Sequence, residues 1–482
     1  DFSLRLPAGN LVGGEGHMIV GTGITDGDAR ATLDDLFRRA AVRNPDAVAL
    51  ADPDDRAHFT DGEARPLTYA QADRIVWNVA ARLRSLGLTT DSVVGLQLPN
   101  TAEAALTLLG ILRAGMIPAL LPMLWRETEI IAALSGVSAK AIVTASRIGA
   151  TDHCAVAGRV AAGLFSIRHV CAFGTVASDG IVPLDDVFDA GTTMEPAPPR
   201  DGNPAMHVAV ITFEPTPRGL LPVPRSHAQL IAAGEAIVTA GNLPQDAALL
   251  SATPPSSFAG LAVTLMPWLL TGGRLALHQP FEPRLFRYRT EACDAVIVPG
   301  PLAQAFADIQ PDTLLVALWR APERRTDDVL ARPVLDITAF GEFGAHVALR
   351  PTGEPVVQLG ATPETQRSPK GTLLLRGAMV AGAGLEDAPS DGFVDTGYPC
   401  RIDAESGALI ITGPQAGMIG LGGYRIARAE IDAFAAALSV DSPIAALPDA
   451  LLGQRLRGRA GDAAAVRRAA RGANLLSAGA FR

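Results

Sequence analysis

Lysine is almost missing from this chain: of 41 basic side chains only Lys140 and Lys370 are lysines. A compact, mobile ammonium is therefore available at two positions, and every other fixed cation is a planar guanidinium. Cysteine is scarce too. Cys154, Cys171, Cys293 and Cys400 are the only four in 482 residues and show no short repeat spacing. That excludes a cysteine cluster or disulfide framework and makes a reduced, cytoplasmic setting the expectation. The eight histidines form no HExxH or paired pattern. His169 and Cys171 fall in an apolar run that reads as strand, so no metal ligand is assigned. No basic block exists and the net charge is −9, which argues against a nucleic-acid surface. The most membrane-like stretch, residues 104–125, is broken by Arg113, Gly115, Pro118 and Pro122. It reads as a buried helix followed by a buried strand, not as an integral membrane segment. Asp1 and Arg5 with no apolar run behind them give no sign of a signal peptide.

What is present is a large globular composition: 48% hydrophobic and 19% charged residues, enough for an extensive core and more than one domain. Residues 31–50 read as an amphipathic helix, a turn at Asn44-Pro45 and an apolar strand. A helix follows from Thr68 to about Leu86, then strand 93–98, helix 100–114, strand 117–121, helix 127–134 and strand 141–144. Alternation at this spacing predicts a parallel, doubly wound sheet. A second alternating section runs from about Met206 to Leu335. Beyond it, turn dipeptides such as Asp391-Gly392, Ser406-Gly407, Gly413-Pro414 and Gly422-Gly423 bracket short β-rich runs, as in successive hairpins.

Several segments in order carry a resemblance. They are LTYAQADRIVWNVAARLRSLG and SVVGLQLPNTAEAALTLLGILRAG near the start, then ITFEPTPRGLLPVPRSH at 211–227. LMPWLLTGGRLALHQPFEPRLF follows at 265–286, then Phe340-Gly341-Glu342-Phe343-Gly344, then the glycine-punctuated stretch 391–430. Together, over roughly residues 31–454, they resemble the AMP-forming, adenylate-forming ligases, whose best-known members are acyl-CoA synthetases. The resemblance implies an α/β fold: a large N-terminal region of two parallel-sheet subdomains plus a β-rich lobe, at 1–402. A short α+β C-terminal domain would follow at 403–482, with Asp403 as the hinge. It further implies ATP with Mg²⁺ and CoA as cofactors of an active enzyme, none otherwise, and a small carboxylic acid as partner, as in fatty acid metabolism. A homo- or hetero-oligomer stays open.

The scaffold residues of the family match better than its chemical ones. The family's phosphate loop reads roughly TSGTTG-x-PKG; here Pro215, Pro217, Pro222 and Pro224 each remove an N–H donor, and Glu214 adds a negative charge. Thr216, Arg218 and Gly219 are the candidates left for an anion. In the family's Y-G-x-T-E segment, Phe340 keeps an aromatic face for a purine and Gly341 its place. Phe343 replaces the hydroxyl and Gly344 the metal-binding carboxylate, while Glu342 is the possible substitute. Thr396 and Gly397 match the family's T-G, but Tyr398 stands at its Asp, Pro414 at its Arg, Gly417 at its following Asp and Gly420 at its Lys. Phe258 and Gly260 match an acyl-pocket segment; Gly422, Gly423 and Tyr424 match the hairpin that contacts CoA. The family's final segment carries a Lys that reaches the carboxylate. After Leu452-Gly453-Gln454 only 455–482 remain, rich in alanine and arginine, and read as one helix.

No catalytic residue is assigned. The leading reading is an acyl-CoA synthetase-like protein with weak or lost adenylation that still binds an acyl or aryl carboxylate or a partner. Two alternatives stay open: an active carboxylate–CoA ligase using Glu342, Arg218 and Arg225 in altered roles, and a non-catalytic scaffold subunit.

Overall fold

A computed structural model describes residues 28–458 apart from 177–178, 190, 192–194, 199, 280–281, 321–329, 352–362, 382–390, 406 and 438–443, together with 464–466 and 468. Two large sheets form the body. The seven-stranded sheet runs Gly219–Ser226, Val208–Thr216, Ile117–Leu120, Val93–Gln97, Ala141–Ala145, His169–Phe173, Ile181–Pro183. All its pairings are parallel except that of the first two strands. The eight-stranded sheet has a parallel interior and antiparallel edges, with Gly344–Arg350 at one end and Pro66–Thr68 at the other. Its interior strands are Val334–Phe340, Leu314–Trp319, Ala295–Pro299, Ala248–Ser251, Arg274–Leu277 and Val48–Ala51.

Interior strands such as Val93–Gln97 and Ala141–Ala145 are buried at every position, which is why they read as continuous apolar runs rather than alternating ones. Helices Tyr69–Ser85, Ala102–Arg113 and Phe258–Thr271 share one core with strands of both sheets, from Val94 and Leu96 to Leu249 and Leu275. Their starts are encoded locally. Thr68 and Gln71 form a reciprocal capping box, and Ser257 accepts the N–H of Gly260. Between the helices, Tyr69 and Trp268 both donate to the carbonyl of Gly273.

Two smaller sheets follow. Glu364–Arg367, Thr372–Arg376, Val394–Ile402 and Leu409–Ile411 form the β-rich lobe. Tyr424–Ala427, Met418–Leu421, Gly453–Arg457 and Ala445–Asp449, with helix Arg428–Ala437, form a C-terminal unit on its own small core of Ile419, Ile426, Ile431 and Ile444. This is the α/β architecture expected from the sequence. One local expectation changes. The 455–482 helix begins instead as strand, Gly453–Arg457, because its alternating residues pair with Ala445–Asp449; most of the remainder lies outside the described residues. The turn at Ser406-Gly407 has Ser406 outside them as well.

One buried histidine ties the sheets' helices together. His227 Nδ1 accepts the N–H of Leu33, the first residue of helix Leu33–Arg43, at 3.2 Å. That bond requires an unprotonated Nδ1, and burial pushes the imidazole down to about 3. The unfolded chain therefore takes up a proton that the folded one refuses between about pH 6.5 and 3. Its contribution to stability is present above that window and lost as pH falls through it. His227→Gln, which keeps an acceptor but cannot titrate, is expected to lose about 3 kcal/mol less stability than the wild type between pH 7 and pH 4. Urea denaturation at the two pH values measures this.

Candidate functional site

The segment 211–227, expected as a loop, is a regular hairpin. Val208–Thr216 and Gly219–Ser226 pair from Val208–Ser226 to Thr216–Gly219. Pro222 and Pro224 lie two residues apart in the edge strand, so the side where their N–H groups are missing is the unpaired one. Thr216, Arg218 and Gly219 form the tip. Thr216 Oγ1 donates to the carbonyl of Gly219 and accepts the N–H of Arg218, and Arg218 points into solvent. The expected anion grip is thus a self-satisfied turn whose only cation faces outward.

The charged centre of the site is one turn inward. Glu214 follows the apolar run from Val208 to Phe213 and has no exposed surface. A lone carboxylate there would be very costly, and three donors meet it. Its Oε2 accepts the N–H of Glu342 at 2.7 Å. Its Oε1 accepts Gln415 Nε2 at 3.1 Å and forms an ion pair with Arg425 Nη1. Burial pulls the Arg425 guanidinium down, but Glu214, Tyr398 and Glu342 outweigh it and hold it above its ordinary range. Gln415 also donates to the carbonyl of Thr396 at 2.7 Å. One carboxylate therefore joins the hairpin, the Phe340–Gly344 turn, the β-rich lobe and the C-terminal unit. Gly341 makes the approach possible: its φ is +60°, and a Cβ there would overlap both Arg425 Nη1 and Glu214 Oε2.

Glu342 is also committed internally. Its carboxylate accepts the N–H of Phe258, the first residue of helix Phe258–Thr271, at 2.7 Å, and burial raises its pKa. It serves as a helix N-terminal anion, not as part of a metal cluster; among the described residues no group of three or more metal-ligating side chains occurs. Arg225, fully buried, donates to the carbonyls of Met379 and Glu342 and lies 3.5 Å from the centroid of the Phe258 ring. Burial pushes Arg225 down to about 9.

The other expected contacts are occupied by the protein itself. Phe340 has no exposed surface and meets Tyr398 edge-on, ring centroids 6.0 Å apart; the open aromatic face expected for a purine is covered. Thr396 donates to the carbonyl of Leu373, and the Gly397 N–H is held by Asp395. Phe258 and Gly260, expected to line an acyl pocket, border neither cavity found at the site. Ser256, Ser257 and Ala259 take that place. Asp403 sits in the turn between Val394–Ile402 and Leu409–Ile411, its N–H bonded to the carbonyl of Ala408 and its carboxylate 3.6 Å from Arg401.

Two cavities flank the site. One of about 60 Å³ lies among Pro122, Trp125, Phe213, Gly341, Tyr424 and Arg425. The other, about 260 Å³, lies between Pro299–Leu302, Leu318–Arg320 and the Gly422-Gly423 turn. Arg320 borders both. Sequence reasoning missed Gln415, Arg425 and Arg320. Glu214 itself was the available signal, since an acid closing a buried apolar strand demands a partner.

The family model for AMP-binding enzymes matches residues 37–317. Salicyl-AMP ligase / salicyl-S-ArCP synthetase of Mycobacterium tuberculosis is 35% identical over 178 residues, 36% of this chain and 30% of that protein. Over that first relative the chain thus spans under a third of its partner's length. 2-Hydroxy-7-methoxy-5-methyl-1-naphthoate–CoA ligase of Streptomyces carzinostaticus is 26% identical over 86% of this chain and 81% of its own. Two solved structures share the fold. MbtA of Mycobacterium smegmatis has TM-score 0.63 and 23% identity, over 90% of this chain and 87% of its own. The amide bond synthetase McbA of Marinactinospora thermotolerans has TM-score 0.66 and 18% identity, over 90% and 92%.

Proposed function

Because this chain belongs to the AMP-binding enzyme family, we propose that it is an adenylate-forming ligase homologue whose ATP-dependent adenylation is weak or lost, and which still binds a carboxylic acid. The observation that carries this reading is Glu214. A buried protein carboxylate, paired with Arg425 and the Glu342 N–H, supplies the negative charge in the segment where the family's phosphate loop would meet an external phosphate.

The residues do not fit ATP with Mg²⁺. A triphosphate brought against Glu214 meets like charge at close range, the hairpin tip has spent its polar groups on itself, and Phe340 is packed under Tyr398. Losing one preorganised donor at a transition state costs about 3–4 kcal/mol, so several losses together leave little catalysis. Among the described residues no helix is long and apolar enough to cross a membrane.

An aryl acid is the ligand class we favour: it is in keeping with the salicylate and naphthoate in the relatives' names, and the cavity beside Trp319, about 260 Å³, has room for such a ring. We place the pivot of the C-terminal unit between Ile411 and Met418, since the strand after Asp403 still pairs with the lobe. ATP–pyrophosphate exchange with a panel of aryl acids tests the reading; acid-dependent exchange would refute it.

A further inference from the structure

Arg320 stands apart from every other guanidinium of the site. Arg225 has two carbonyls and Arg425 has Glu214. Arg320 has no ion pair or hydrogen bond among the described residues, and its Nε and Nη2 are enclosed without a partner. Its stem runs along the backbone at Gly423, where an added Cβ would lie 3.1 Å from Cδ. Its head reaches the first turn of helix Phe258–Thr271, where a Cβ on Gly260 would lie 3.2 Å from Nη2. That is the positive end of the helix, so the backbone adds repulsion instead of a partner.

The local charge is unbalanced. Arg225, Arg320 and Arg425 share the region with Glu214 and Glu342. Glu214 is consumed by Arg425, and Glu342 is turned to the Phe258 N–H. Enclosing cationic nitrogens without a partner is costly; Arg320, partly exposed as a whole and unpaired among the described residues, carries two such nitrogens and borders both cavities.

We infer that Arg320 is the receptor for a small aryl monocarboxylate, whose carboxylate pairs with the guanidinium and whose ring fills the 260 Å³ cavity. The guanidinium fork matches a carboxylate with two parallel hydrogen bonds. The cavity walls suit a flat apolar body: Pro254, Pro299, Leu302, Leu318 and Trp319. One negative charge balances this cation, which has no ion pair among the described residues. The inference rests on the reading that this chain binds an acid, and adds where the acid sits and which side chain selects it.

The test is calorimetry and thermal shift in the absence of ATP, with benzoate, salicylate and 1-naphthoate as probes and benzamide as the neutral match. At least one acid is expected to bind saturably and at least tenfold more tightly than benzamide. Arg320→Met is expected to weaken that acid at least tenfold, and to melt at a higher temperature than the wild type without ligand, because the orphan charge is gone. Arg320→Lys, which keeps charge but loses the fork, is expected to fall between the two. Acid binding that survives Arg320→Met, equal binding of benzamide, or a lower ligand-free melting temperature in Arg320→Met would each overturn the inference. So would the failure of all three acids to saturate at millimolar concentration. Acid binding that survives Arg320→Met removes this site and leaves the acid-binding reading standing, whereas failure of all three acids removes both.

Discussion

Glu214→Ala is expected to destabilise the protein by about 3–5 kcal/mol, the range for breaking a buried ion pair by removing one partner. The loss has identifiable parts. Arg425, whose side chain is 10% exposed, keeps its charge and loses its ion-pair partner. The Glu342 N–H and Gln415 Nε2 each lose an acceptor, and an unmet buried donor is itself costly. Chemical denaturation of wild type and variant gives the difference. Because the missing group is a carboxylate, formate at tens of millimolar is expected to raise the melting temperature of Glu214→Ala by more than that of the wild type, in which Arg320 offers the one proposed carboxylate site. A change within about 0.5 kcal/mol, the ordinary scale of a surface substitution, would show that Glu214 does not hold the four segments together.

Gly341→Ala is expected to cost about 2–4 kcal/mol by a different route to the same ion pair. The left-handed backbone, φ +60°, adds roughly 1 kcal/mol for any residue with a Cβ. The larger part is steric, since that Cβ would overlap both partners of the Glu214–Arg425 pair. The pair must separate or the turn must shift, and well-packed interiors tolerate neither cheaply. Residues sharing one network are not additive. In the Glu214→Ala background, Gly341→Ala should therefore cost at least 1 kcal/mol less than in the wild type. Full additivity in that double-mutant cycle would place the strain of Gly341→Ala outside the ion pair.

The large architecture was legible because its signals are local. Fully buried strands such as Val93–Gln97 read as unbroken apolar runs, and helix starts carry their own caps at Thr68 and Ser226. The hairpin was not legible. Four prolines in Pro215–Pro224 read as a rigid turn, yet Pro222 and Pro224 are compatible with a strand once that strand lies at a sheet edge. Edge position is a tertiary fact. The site divides in the same way. Glu214 was visible as an acid out of place, but its partner Arg425 lies 211 residues away and no periodicity links them. Arg320 carried no sign at all, because an orphan side chain is defined by what fails to reach it.

If the Glu214 carboxylate takes the place of an external phosphate in this fold, adenylation is suppressed. ATP–pyrophosphate exchange with Mg²⁺ and the aryl acids, alongside calorimetric titration of Mg-ATP, tests it most directly. No acid-dependent exchange above background and no saturable heat of ATP binding are expected. Acid-dependent exchange accompanied by saturable ATP binding would contradict it.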